Sequence, residues 1–410
     1  MLLLSGKRTL YSATAAIALC LIFIESCKYP YEPTHQSPPM AGSNVVTTSS
    51  LYPINPGRQI CNPSASQDTV NFKACMLYLN LGGNLPVNVP EDWKSIYTNY
   101  ADQPHDRLTI IDTSNTVRWF LMKPTFIPQT ELQDPEWSAN PEYIAFLGDA
   151  DYTSDGYIVR ISDKSILRFN KGNVQANSTP HLWTPHSAVT PAPETGAAAS
   201  LFSDDDSLFD KTTGMVRKET IGMYFSTDSV KIVFAKDVGS SGLTIHYIDY
   251  SQPQPGLIVL PRPKNREGMA CESPLISPDG RWIVFNCKNG SLANEAYLQR
   301  LDGTSQPLLL HQGTAAEPHW WRNPGNSDLY ILYCTAIGPL DRDLIQVPSN
   351  GSYGSTLIRR VNLSSGLAWQ VLYDNESELC GLPFQGGLTP DGRYLVTGYQ
   401  YGYIFSIPSL

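Results

Sequence analysis

One phrase recurs five times along the chain, a turn followed by a short β-branched and aromatic run. The plainest copies are SPDGRWIVF, Ser277 to Phe285, and TPDGRYLV, Thr389 to Val396. Looser copies are SANPEYIAF from Ser138, STDSVKIVF from Ser226 and NPGNSDLYILY from Asn323. Repetition at roughly 40 to 50 residues constrains the fold to an array of similar sheets, because one four-stranded sheet cannot bury both of its faces. The expected class is all-β: a β-propeller of four-stranded blades, with six the best count and five or seven open.

The turn has a physical reading. Pro278 and Pro390 preset φ, Asp279 and Asp391 bond the backbone ahead of them, and Gly280 and Gly392 accept the positive φ that closes a tight reversal. Each copy therefore reads as the hairpin between the first two strands of a blade. The run Arg281 to Phe285 is too short for a helix and reads as a buried second strand. Third and fourth strands are expected behind it in Ala296 to Leu310, Gly242 to Leu260 and Thr356 to Tyr373.

Blades built from an acid near a Pro, then S-P-D-G-R, I-V-F and a strand ending in a Leu-Asp-Gly turn resemble the repeats of TolB-type periplasmic propellers. The resemblance covers about Gln133 to Leu410 and is degraded in three copies. It implies the propeller fold and a place in the bacterial envelope, and it guarantees no partner, since fold and function separate readily.

Residues 1–26 read as a signal peptide: Lys7 and Arg8 precede an apolar stretch from Thr9 to Ile24, and Ser26-Cys27 follows. A small residue before a Cys resembles the bacterial lipoprotein box, which implies lipidation at Cys27 and a lipid anchor facing periplasm or cell surface. Glu25 departs from that pattern, and ordinary secretion or an uncleaved anchor are the alternatives. Residues 27–60 are rich in Pro, Ser, Thr and Asn and read as a flexible tether. The propeller is assigned to 61–410, with 125–410 carrying the repeats. Within 61–124, Arg107 to Asp112 and Val117 to Met122 look like the outer half of a blade. The last repeat lacks an outermost strand, so a strand from 61–124, the N-terminal part of the propeller, is expected to close the ring.

The formal charge of −9 offers no basic footprint for nucleic acid. Eight Cys become six once Cys20 leaves with the signal and Cys27 is lipidated. In an oxidising compartment these suggest disulfides. Cys271 and Cys287 flank Asp279 symmetrically, so antiparallel pairing sets them opposite each other. Cys334 with Cys380, and Cys61 with Cys75, are the remaining candidate pairs, with buried free thiols the alternative for each.

No G-x-S-x-G elbow, H-E-x-x-H or P-loop is present, and no catalytic residue is assigned. A carboxylate is expected before the first strand of each clear blade: Asp134, Glu219, Glu272, Glu317 and Glu378. Converging on one channel mouth, these acids would favour a Ca²⁺ ion or a basic tail of a partner; the plainer reading is that each caps a loop or pairs with a base. His319, beside Trp320 and Trp321, is a candidate mouth contact, with Trp320, Trp137 and Trp282 expected in the core. Thr179 to Lys211 reads as a surface excursion between blades.

The function expected is a non-enzymatic, membrane-tethered scaffold that binds an envelope protein or a cell-wall or polysaccharide component. The rival is a polysaccharide lyase or hydrolase with its site at the channel mouth. Convergence of His319 with His181, His186 or His311 in one pocket would favour the rival.

Overall fold

The computed structural model describes residues 45–47, 50–54, 60–80, 88–98, 105–150, 153–171, 178–186, 193, 198–202, 205–238, 242–264, 266, 268–289, 293–310, 315–335, 341–347, 356–362, 386–398 and 402–406. The signal segment, Cys27, Glu378 and Cys380 lie outside these residues, so the expectations for them find no counterpart in the structure.

Among the described residues, twenty-five strands fall in six sheets. Strands β1 (Val45–Thr47) and β2 (Ser50–Ile54) are the first described elements and belong to the last two sheets. The first sheet is β3 (Ile60–Ala65), β4 (Cys75–Asn80), β5 (Arg107–Asp112) and β6 (Val117–Met122) in that order, with helix α1 (Glu91–Thr98) between β4 and β5. The second is β7 (Glu131–Trp137), β8 (Tyr143–Ala150), β9 (Thr153–Arg160) and β10 (Ser165–Arg168). The third begins with β11 (Ser178–Trp183), and an excursion with β12 (Ser200–Leu201) and helix α2 (Lys218–Phe225) intervenes before β13 (Lys231–Asp237), β14 (Leu243–Asp249) and β15 (Ile258–Val259). The fourth is β16 (Ala270–Ile276), β17 (Trp282–Asn289), β18 (Ala293–Arg300) and β19 (Leu308–Leu309). The fifth is β20 (Ala315–Arg322), β21 (Leu329–Thr335), β22 (Asp341–Val347) and β23 (Thr356–Asn362), and the sixth holds β24 (Tyr394–Gly398) and β25 (Gly402–Ser406).

This is an all-β propeller. Within the first five sheets the four main strands run antiparallel in sequence order, and the sixth runs β24, β25, β2, also antiparallel. First strands neighbour one another around the ring, β3 with β7, β7 with β11, β11 with β16 and β16 with β20, and β24 returns to β3. Apolar side chains fill the wedges between sheets: Leu77, Ile110 and Trp119 of the first pack with Trp137, Phe146 and Tyr157 of the second. Burying these faces against each other is what a single sheet cannot do, and it supplies most of the driving force.

The repeated turn does what its residues require. Ser277 Oγ accepts from the Trp282 N–H at 2.9 Å, Asp279 Oδ1 from the Arg281 N–H at 3.2 Å, and Gly280 sits at φ +70°. Thr389, Asp391 and Gly392 repeat the arrangement, with φ +65° at the glycine. The ring is closed from the N-terminal side, but not by a strand of 61–124: β2, within the span read as a tether, pairs antiparallel with β25 as the outermost strand of the sixth sheet, while 61–124 forms a sheet of its own.

Several boundaries differ from expectation. The tether span 27–60 contains β1 and β2, because its Val-Val-Thr and Ser-Leu-Tyr-Pro-Ile runs find unpaired edges to complete. Region 61–124 is a whole sheet, with β3 and β4 inside the two strands expected. Thr356–Asn362 is the fourth strand of its sheet, and Asp341–Val347 is the third. The excursion starts after β11 and wraps back over the second sheet, where β12 lies parallel to β10 and covers its outer edge. STDSVKIVF follows a helix rather than a strand: Ile221, Tyr224 and Phe225 bury one face of α2, and Ser226 in the left-handed region ends it.

Cys271 and Cys287 lie opposite each other and are disulfide-bonded. Cys61 and Cys75 are not joined. Cys61 faces Leu79 while Cys75 starts β4, next to Met76, which faces Ala65 at the other end of the hairpin. Four residues of strand, about 13 Å, separate their levels, beyond the reach of a disulfide. Burial raises both thiols well above the ordinary range, Cys61 to about 12, which leaves them protonated.

Candidate functional site

The innermost strands share one irregularity. Each of five carries an X-Pro dipeptide at a register shift: Asn62-Pro63, Asp134-Pro135, Thr179-Pro180, Ser273-Pro274 and Glu317-Pro318. Proline has no N–H to give to a ladder, and an inner strand whose free edge faces the channel is where that loss is tolerated. The bulge re-aims the residue before it, and Asn62, Asp134 and Ser273 take positive φ of 48°, 45° and 52°. The sixth sheet has Gly386 and Gly387 at this level, with Gly387 against the His319 ring.

These bulges bring polar side chains from several sheets to one cavity. Asn62, Asp134, Glu136, Thr179, Ser273 and His319 line it, and it is small, about 20 Å³, and partly open to solvent. Asp134 is the hub. It accepts from Asn62 Nδ2 of the first sheet and, at 3.0 Å, from the Thr179 N–H of the third. Burial raises its carboxyl above the usual range despite these bonds, and Glu272 and Asp149 add to the rise.

Deeper in the channel, Glu136 joins three sheets. Ser64 Oγ donates to its Oε2 at 2.9 Å, and His319 Nε2 lies 3.6 Å from its Oε1. His181 is buried beside them, its Nδ1 accepting the Ile276 N–H at 3.1 Å. Burial holds His181 down to about 4, so its ring is neutral near pH 7. Ser64 thus meets a carboxylate and the Trp137 N–H at 3.3 Å, and no imidazole accepts its proton.

The expected acid ring is assembled only in part. Asp134 lines the cavity, and Glu272 lies close enough to raise it but is paired with Lys288 at 2.6 Å. Glu219 stands in the first turn of α2, away from any first strand, because the third sheet takes its inner strand from Ser178–Trp183. Glu317 occupies the bulge of β20, and Glu378 lies outside the described residues. Among the described residues no three His, Cys, Asp or Glu side chains are grouped as a metal site.

His319 lies on the inner strand β20 beside Glu136, and His181 is buried near the pair. His186 is exposed beyond β11, and His311 lies outside the described residues. Trp320, Trp137 and Trp282 are core, and Trp320 Nε1 donates to the Leu275 carbonyl at 2.8 Å. Sequence reasoning missed Asn62, Ser64, Glu136, Thr179 and Ser273. The signal that marks them is the X-Pro dipeptide recurring on each inner strand.

The chain matches no protein-family model and no curated protein. Solved structures similar to it include TolB from Acinetobacter baumannii, at 12% identity and TM-score 0.37, covering 74% of this chain and 57% of that one. A putative TolB from Agrobacterium tumefaciens is 12% identical at TM-score 0.42, over 88% and 99% of the two chains. The Myceliophteria thermophila Cps50 (Swd1) β-propeller domain is 9% identical at TM-score 0.41, over 87% and 89%. The chain thus spans little more than half of the Acinetobacter protein. The propeller assignment rests on the sheets and their register.

Proposed function

We propose that this chain is a binding scaffold of the bacterial envelope, a six-bladed propeller tethered to the membrane through a lipid on Cys27, whose channel mouth receives a basic segment of a protein partner. Six blades is supported by five sheets of four main strands in one order and a sixth of β24, β25 and β2, with β24 lying next to β3. The observation that carries the binding reading is Asp134: a deep carboxylate, held open to the channel by a bulge, with a second acid, Glu272, beside it. A cation placed there relieves the cost of the Asp134 charge, Glu272 being paired with Lys288 already. Ca²⁺ is the alternative occupant. It requires six to eight oxygen ligands, whereas both Asp134 oxygens already accept hydrogen bonds.

The test is calorimetric titration of the chain with a Lys-rich peptide and, separately, with Ca²⁺. Peptide binding that weakens with salt supports the reading, and Ca²⁺ binding alone replaces the occupant. Failure of both removes the mouth as a cation site.

The second reading, a polysaccharide lyase or hydrolase, draws on the meeting of His181 and His319 at Glu136. Release of unsaturated or reducing ends from acidic polysaccharides, lost in His319→Ala, would put it first.

A further inference from the structure

Resting on the reading of the channel mouth as the receiver of a basic segment, we infer that the cavity at Asp134 selects a primary ammonium over a guanidinium, so that a lysine side chain leads the segment in. The cavity has an excess of acceptors. In all five inner-strand bulges the proline stands one residue before the ladder resumes, so Pro63, Pro135, Pro180, Pro274 and Pro318 withhold an N–H at the same place in their strands. Pro63 and Pro135 themselves line the cavity. The donors that Asn62 and Thr179 bring are already used within its walls. The Asn62 amide and the Thr179 N–H go to Asp134, and the Thr179 hydroxyl donates to Ser273 Oγ at 3.5 Å. A ligand group that only donates suits such walls, and the two side-chain cations that only donate are ammonium and guanidinium.

Geometry and size separate those two. A guanidinium binds a carboxylate best through two parallel N–H bonds, one to each oxygen. Asp134 has both oxygens engaged, Oδ1 by Asn62 of the first sheet and Oδ2 by Thr179 of the third, so a planar fork meets no free pair. An ammonium is a compact point charge whose N–H groups turn separately, and the lone pair left on either oxygen is enough for one of them. The volume agrees. About 20 Å³ is close to the space of one water, which suits an ammonium head better than a planar group of three nitrogens. Pro63, Pro135 and Leu275 supply the apolar part of the lining, against which the methylenes of a lysine stem pack while the head reaches Asp134.

Calorimetric titration of the mature chain with one peptide sequence in three forms, bearing lysine, arginine or Nε-acetyl-lysine and acetylated at its N-terminus, reads the preference. The lysine form should bind roughly tenfold more tightly than the arginine form, and the Nε-acetylated form should show no heat of binding. An arginine form that binds as well as the lysine form overturns the ammonium preference and leaves the mouth standing as a site for basic segments. Binding that appears only when the peptide's N-terminus is left free assigns the ammonium to a chain end and overturns the lysine. If none of the forms binds, the reading of the mouth fails, and ethylammonium against methylguanidinium at equal concentration and ionic strength decides the preference by itself. Ethylammonium alone should then shift the amide resonance of Thr179; a shift from both, or from neither, overturns it.

Discussion

Trp321 lays its indole on Gly392 of the neighbouring sheet, so close that a Cβ there would come within 2.7 Å of the ring, and its Nε1 donates to the Pro390 carbonyl at 3.3 Å. Trp183 does the same to Gly280, with 2.5 Å to a Cβ and 3.1 Å from Nε1 to the Pro278 carbonyl. The glycine of the repeated turn therefore serves two purposes: it takes positive φ, and it leaves room for the tryptophan of the preceding first strand.

Gly392→Ala and Gly280→Ala should each cost about 2 to 4 kcal/mol, the sum of a left-handed alanine and an overpacked contact. Equilibrium denaturation reads the loss. If the cost is mainly the clash, Trp321→Phe should restore part of the stability of Gly392→Ala.

The bond between Cys271 and Cys287 closes a loop with a sequence separation of 16. Replacing both by Ala should cost about 3 kcal/mol in the chain-entropy model. Peptide mapping without reduction should recover this pair and return Cys61 and Cys75 as thiols.

His181 gives the fold an acid sensitivity. Its folded value is depressed to about 4 from 6.5, so its contribution is present above the unfolded value and is lost as pH falls from 6.5 through about 4. The full effect is on the order of 3 kcal/mol. His181→Asn should flatten the stability profile across that window. An unchanged profile in the variant would assign the acid sensitivity elsewhere.

Among the acids, Asp134→Asn with Glu272→Gln should weaken peptide binding at the mouth roughly tenfold or more, as expected for losing about 1.4 kcal/mol of attraction. Glu219→Gln should bind as the parent does, since α2 carries that residue away from the channel. Equal losses in both would place the ligand elsewhere.

Cys27→Ser should move the protein from the membrane fraction to the soluble one while its near-ultraviolet circular dichroism is unchanged. Retention on the membrane would remove the lipid anchor from the proposal.

What the sequence determined by itself was what short-range chemistry dictates. Pro-Asp-Gly at Pro278 and Pro390 fixed the hairpins, the β-branched runs behind them fixed the second strands, and the symmetric spacing of Cys271 and Cys287 about Asp279 fixed their bond. The missing outer strand of the last repeat likewise pointed to closure from the N-terminal side, which β2 supplies in place of a strand from 61–124. The tertiary structure alone decided which distant segments fill open edges and which side chains meet in the channel. Ser178–Trp183 became an inner strand, and Lys218–Phe225 became a helix, because Tyr224 and Phe225 bury against the second sheet and not in a ladder of their own. Asn62, Asp134 and Thr179 come from three sheets, and no local pattern carries their separation. Their contact depends on how the inner strands are spaced around the ring, which packing between sheets sets and sequence neighbours do not.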